Sequence, residues 1–215
     1  MQFFIDNFDI LRDAFLQTLL LSVLSGVLAL VLGIVLATMR VSPIPPLRGL
    51  ATFYVEAFRN TPLTVVFFFV LFGLPQIDTV VSFFTGAVLA VGMYTAAFVA
   101  EAVRSGINSV SPGQAEAARA LGLGFGQSLR EVVLPQAFRT VIPPLGSVFI
   151  AMVKNTSIAA GFSTSELSST LPRLVNADAG ALLLVLLGVV VGYMIITVPM
   201  AYAVNRLERR VAILR

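Results

Sequence analysis

Between Asp13 and Arg40 the chain reads Ala14-Phe-Leu-Gln-Thr-Leu-Leu-Leu-Ser-Val-Leu-Ser-Gly26-Val-Leu-Ala-Leu-Val-Leu-Gly33-Ile-Val-Leu-Ala-Thr-Met39, without one charge. A helix needs about 20 apolar residues to cross the hydrocarbon of a bilayer. This stretch is long enough, and the rest of the chain agrees with it. Of 215 residues, 58% are hydrophobic and 12% charged. A soluble domain carries about 25% charged residues, so this chain cannot cover a globule of its size with a charged surface. Further charge-poor intervals follow. One runs from Arg59 to Asp78 and includes residues 65–74, with Pro62 and Pro75 at its ends. Another runs from Asp78 to Glu101. A fourth begins near Val141, passes Pro143 and Pro144, carries Lys154 and ends near Phe162. The last runs from Gly180 to Val204. The pattern predicts an all-α membrane protein with five transmembrane helices.

Orientation follows from Lys and Arg in the connections. One set of flanks holds Arg40, Arg48, Arg59, Arg104, Arg119, Arg130, Arg139, Arg206, Arg209, Arg210 and Arg215. The other holds Arg12 and Arg173 beside Asp6, Asp9, Asp13, Asp78, Glu166 and Asp178. The first set is expected in the cytoplasm. That places the N-terminus outside and the C-terminus inside, as an odd number of spans requires. The first span is too long, and its flank too acidic, for a cleaved signal peptide. The whole chain, 1–215, reads as one membrane domain with its longest cytoplasmic connection at about 104–139.

Composition excludes whole chemistries. There is no Cys and no His, so thiolate nucleophiles, imidazole bases and Cys- or His-ligated metals are absent. Lys154 is the one lysine, and no G-x-x-x-x-G-K-[ST] occurs. The chain has no phosphate-cradling loop of its own and no cofactor is expected on it. The net charge of +3 comes from membrane flanks and forms no nucleic-acid stripe.

Within the connection, residues 111–122 read as a short helix with both ends specified. Ser111 is placed at the N-cap, Pro112 at the first helical position, Gln114 in a capping box, and Gly122 at a left-handed end. About ten residues cannot span a bilayer, so this helix lies at the membrane edge. A second short helix is expected from Phe125 to Val133, ended by Leu134-Pro135.

The chemistry of this connection lies in its spacing. Glu116-Ala117-Ala118, three residues, Gly122, nine residues, Val132, one residue, Leu134-Pro135 resembles the EAA signature of the permease subunits of ABC importers, E-A-A-x3-G-x9-I-x-L-P. The one departure is Val132 where Ile is usual. Glu56-Ala-Phe-Arg59-Asn60-Thr61-Pro62-Leu63 and Val153-Lys154-Asn155-Thr156-Ser157 resemble segments of the polar amino-acid branch of that family. Its layout of five spans with the N-terminus outside matches too. The resemblance implies a bacterial cytoplasmic-membrane permease that passes a polar amino acid. It implies two ATPase partners carrying ATP-Mg, a second permease subunit, identical or homologous, and an extracytoplasmic binding protein. It places Glu116, Ala117, Ala118 and Gly122 in a groove of the ATPase, within a coupling segment that closes on Leu134 and Pro135. The rival readings are a permease for another small polar solute, a stand-alone channel or scaffold, and an intramembrane enzyme. The last lacks any aspartate pair or activated nucleophile in its spans.

Polar groups at membrane depth face protein or a watery cavity. Lys154, Asn155, Thr156 and Ser157 read equally as solute path or as helix-to-helix hydrogen bonding. Glu166 reads as a residue near the outer mouth of a path or as a solvated capping residue. Asn60 and Thr61 open the second span beside Pro62, where a backbone break can expose polar groups. Glu56 and Arg59, three apart, are expected to pair. Gly26, Gly33, Gly188 and Gly192 are expected to permit close helix packing.

Overall fold

The computed structural model describes residues 2–211. After a turn of helix α1 (Gln2–Asp6) comes α2 (Phe8–Val41), which contains the whole uncharged stretch. It starts earlier than that stretch because Arg12 lies 3.0 Å from Asp9 and 2.8 Å from Asp13, so the charges pair along the helix and prolong it. It ends where Pro43, Pro45 and Pro46 follow, since proline supplies no N–H to continue the ladder.

The second span is broken. Helix α3 (Pro45–Arg59) and the stretch Leu63–Ile77 meet at 108°. The break falls on Asn60-Thr61-Pro62, where Pro62 lacks a donor and pushes Thr61 towards extended backbone. After it come α4 (Leu63–Phe68), a π turn (Phe69–Gly73) and a 3-10 turn (Leu74–Ile77). The stretch is about 22 Å long at 1.5 Å per residue, short for a crossing by itself. Its Phe67 stacks on Phe162 with ring centroids 4.8 Å apart. Helix α5 (Phe83–Asn108) follows, with Ser82 accepting the Thr85 N–H at 3.1 Å.

The connection carries α6 (Pro112–Ala120) and α7 (Phe125–Gln127). Contrary to expectation, Pro135 ends nothing. A π turn (Ser128–Val133) runs directly into α8 (Leu134–Asn155). The wide turn shifts the Leu134 N–H to the Leu129 carbonyl, which makes room for a residue with no N–H. The fourth span therefore begins before Val141, and Pro143 and Pro144 lie inside it. It closes in a 3-10 turn (Thr156–Phe162), after which α9 (Thr170–Ala177) leads to α10 (Leu182–Val211). Four of these segments are long and apolar enough to cross a membrane, and the bent pair makes the fifth.

Helices α2 and α5 form the centre, joined through small residues. Ser25, Ala29, Gly33 and Ala37 of α2 and Gly92, Ala96 and Ala100 of α5 are buried. A Cβ on Gly33 would stand 2.5 Å from Val99 Cγ1 and 2.9 Å from the Ala96 carbonyl oxygen, so the backbones touch there. Gly26, Gly188 and Gly192 likewise abut Met152, Phe4 and Leu167. The outward faces of α2 and α10 are exposed and apolar, with Val23, Val27, Val31, Leu187, Val191 and Ile195 among them.

Candidate functional site

The short helix α6 hangs between α5 and α8 on the arginine-rich side. Its end is a Schellman motif. Gly122 has φ +83°, its N–H bonds the Arg119 carbonyl at 2.9 Å, and the Leu123 N–H reaches Ala118 at 3.1 Å. The start differs from the expected capping box. The Ser111 hydroxyl makes no cap bond, and the Gln114 N–H bonds the Ser111 carbonyl at 2.9 Å. Gln127 takes the side-chain capping role one helix later, accepting the Gly124 N–H at 3.1 Å. Glu116 and Ala117 face solvent, as does Gly122. Ala118 is buried, 4% exposed, so it packs α6 onto the chain and is not free to enter another protein's groove. Leu134 is half-buried and Pro135 exposed. Two residues that sequence reasoning passed over, Leu121 at 84% and Phe125 at 79% exposure, flank Gly122 as bare apolar knobs.

A groove of about 350 Å³ opens between α5 and α8. Tyr94, Thr95 and Phe98 form one wall, and Ser147, Ala151 and Asn155, four residues apart, form the other. The polar cluster of the fourth span divides accordingly. Asn155 lines the groove. Thr156 is fully buried and donates to the Val153 carbonyl at 2.7 Å, while Ser157 donates to Lys154 at 2.8 Å. Their hydroxyls close the end of α8, and neither lines the groove. Lys154 is exposed and has no ion pair among the described residues. Thr61 borders a smaller apolar recess with Phe69 and Met93 and donates to Ala57 at 2.7 Å. Asn60 is exposed and donates to the Glu56 carbonyl at 2.8 Å.

Glu166 bears out half of one expectation: it caps the turn Leu167–Ser169. It is 0% exposed, neither solvated nor facing an opening. One carboxylate oxygen accepts the Ser169 N–H at 2.9 Å, and the other accepts the Tyr193 hydroxyl. It holds the turn Leu167–Ser169 against α10, and the Leu167 N–H donates to Thr18 of α2 at 3.0 Å.

The expected Glu56–Arg59 pair is replaced by a larger cluster. Glu101 on α5 accepts hydrogen bonds from Arg40 at the end of α2 and from Arg104 one turn away. Arg59 at the end of α3 lies 3.5 Å from it, and Glu56 lies 4.0 Å from Arg40. Arg59 also sits over Phe98, 5.9 Å from the ring centroid, so the cluster closes one end of the α5–α8 groove. Sequence could not single out Glu101, because Glu56, Glu116 and Glu131 share the arginine-rich side and positions 61 apart have no pairing rule. A wider groove, about 760 Å³ between α2 and α10, is walled mainly by apolar residues such as Phe8, Leu11 and Ile195, with Arg12 its one charged wall residue, already paired with Asp9 and Asp13.

A bundle of four long apolar helices and one bent pair, with a capped helix hung outside it, defines a multi-pass membrane protein. The chain belongs to the family described as binding-protein-dependent transport system inner membrane component, whose pattern matches residues 29–213. It is similar to the glutamate transport system permease protein GluC of Corynebacterium glutamicum, 43% identical over 94% of each chain. It is 41% identical to the probable glutamine ABC transporter permease protein GlnM of Bacillus subtilis, over 95% of this chain and 94% of that one. Among solved structures, an amino acid ABC transporter crystallised with histidines matches with TM-score 0.89 and 30% identity over 96% of both chains. The inward-facing MetNI methionine ABC transporter, 22% identical, shares the fold with TM-score 0.75, over 95% of this chain and 97% of that one.

Proposed function

We propose that the whole chain, as one permease domain of the bacterial cytoplasmic membrane, passes a polar amino acid inwards, with its N-terminus outside and its arginine-rich side in the cytoplasm. The observation that carries this reading is α6, a helix capped at its C-terminal end and tethered between two spans, which exposes Glu116 and Ala117, with Leu121 and Phe125 exposed just beyond its end. The sequence carries no P-loop motif, and in this reading the work comes from two ATPase subunits that bind ATP-Mg and push on α6. Rigid-body motion of α5 and α8 then exposes the path to each side in turn. Glu116 offers a carboxylate to a basic group of the ATPase, and the apolar knobs fill its groove. Leu134 and Pro135 lie where the π turn meets α8 and transmit the push into the span.

The solute path is the α5–α8 groove, completed by a second permease copy, identical or homologous. Asn155 offers an amide to the solute, and Thr95, Ser147 and Tyr94 offer hydroxyls. Of the path residues expected from sequence, Asn155 lines this groove; Asn60, Thr61, Lys154, Thr156, Ser157 and Glu166 are not among its wall residues. An extracytoplasmic binding protein delivers the solute. The glutamate, glutamine and histidine of the relatives' names set the class to test. Uptake of labelled glutamate, glutamine and arginine by cells expressing the full system tests the reading. Glu116→Lys should abolish uptake with the permease still in the membrane. Asn155→Leu should reduce uptake with the ATPases still docked. Normal uptake by both variants would overturn these assignments.

A further inference from the structure

The outer face of α10 changes character along its length. Leu184, Leu187, Val191, Ile195 and Val198 are exposed and share one side of the helix, at steps of three and four. On the same side follow Tyr202, Asn205, Arg206, Arg209 and Arg210, which together wall a groove of about 360 Å³. At 1.5 Å per residue, residues 182–201 span about 30 Å and fill the hydrocarbon. Tyr202 then emerges at the interface, where its ring and hydroxyl suit both layers. Helical side chains lean towards the N-terminus. The arginines therefore reach back from beyond the hydrocarbon into the layer of lipid phosphates, their stems lying on apolar surface.

Arg206, Arg209 and Arg210 have no ion pair among the described residues. Arg206 donates to the Tyr202 hydroxyl at 3.1 Å, which aims its guanidinium along the groove. Glu208 lies on another side of the helix by the same periodicity.

We propose that this end of α10 binds the headgroup of an anionic phospholipid, with the phosphate among the three arginines and the acyl chains along the apolar stripe above them. The inference rests on α10 crossing the membrane and is independent of the solute. Its test is native mass spectrometry of the purified full chain in detergent, titrated with phosphatidylglycerol or phosphatidylcholine of the same acyl chains. Wild type should retain phosphatidylglycerol preferentially. Affinity for it should fall about fivefold for each arginine removed in R206Q, R209Q and R210Q, and furthest in the triple variant, with phosphatidylcholine retention unchanged. A triple variant elsewhere on the arginine-rich side, R48Q/R119Q/R139Q, should bind as wild type does. Equal retention of both lipids by wild type, or no loss in the α10 variants, would overturn the proposal. So would an equal loss in the control triple, which would mean diffuse attraction. A change of oligomeric state without a change in lipid retention would make this face a subunit interface instead.

Discussion

Replacing Gly122 separates two reasons for a glycine at the end of α6. Its φ of +83° is left-handed, and a Cβ built there meets nothing within 4 Å. Within this chain, alanine is therefore penalised by backbone conformation alone. The left-handed region costs an L-residue roughly 1–2 kcal/mol, equivalent to about a tenfold shift between helices with and without the Schellman turn. That turn bonds residues 119 and 122 and residues 118 and 123, so losing it frays α6 and swings Leu121 and Phe125 away from any partner. Gly122→Ala should lower ATP-driven uptake about five- to tenfold at unchanged membrane abundance. Asparagine tolerates the left-handed region, so Gly122→Asn should recover most of that loss, and Gly122→Val should be the worst of the three. Uptake of labelled amino acid, normalised to permease in the membrane, measures the series. If asparagine proves as poor as valine, the requirement is room against the partner and the conformational argument fails. If alanine matches glycine, the turn has no part in coupling.

Three further outcomes follow from the packing. Glu101→Leu leaves Arg40, whose side chain is 11% exposed, without its nearest carboxylate; about 2 kcal/mol of stability should be lost, between the surface and buried limits, and Arg40→Met in the same chain should restore part of the melting temperature in detergent. Gly33→Ala should cost about 1–3 kcal/mol by overpacking, with little rescue by Val99→Ala because the residue-99 Cβ, 2.6 Å away, and the Ala96 carbonyl, 2.9 Å away, both stay in place. The same change at Gly49, where a Cβ meets nothing within 4 Å, should leave the melt unchanged or higher. Tyr193→Phe removes a donor from buried Glu166 and should lower stability by about 1–3 kcal/mol; an unchanged melt would show that Glu166 is adequately held by Ser169 alone.

Much of this protein is written in its local sequence. Uncharged runs longer than the hydrocarbon is thick read as spans, so residues 14–39 and 180–204 were legible without a fold. Gly122 was equally legible, because a glycine just past an alanine-rich helix meets a requirement of the backbone itself. Tertiary structure decided the rest. Pro62 announces a break but not its angle, and Pro135 reads as a stop until the π turn before it accommodates the missing N–H. Thr156, Ser157 and Glu166 read in sequence either as a path of polar groups or as packing and capping residues. Only the packing turns the hydroxyls onto their own helix and sets the carboxylate beneath Tyr193. Glu101 collects Arg40 and Arg59 from other helices because α2, α3 and α5 converge at one end. Local propensity acts over a few residues, whereas a charge cluster or a groove between helices exists only once distant segments are brought together.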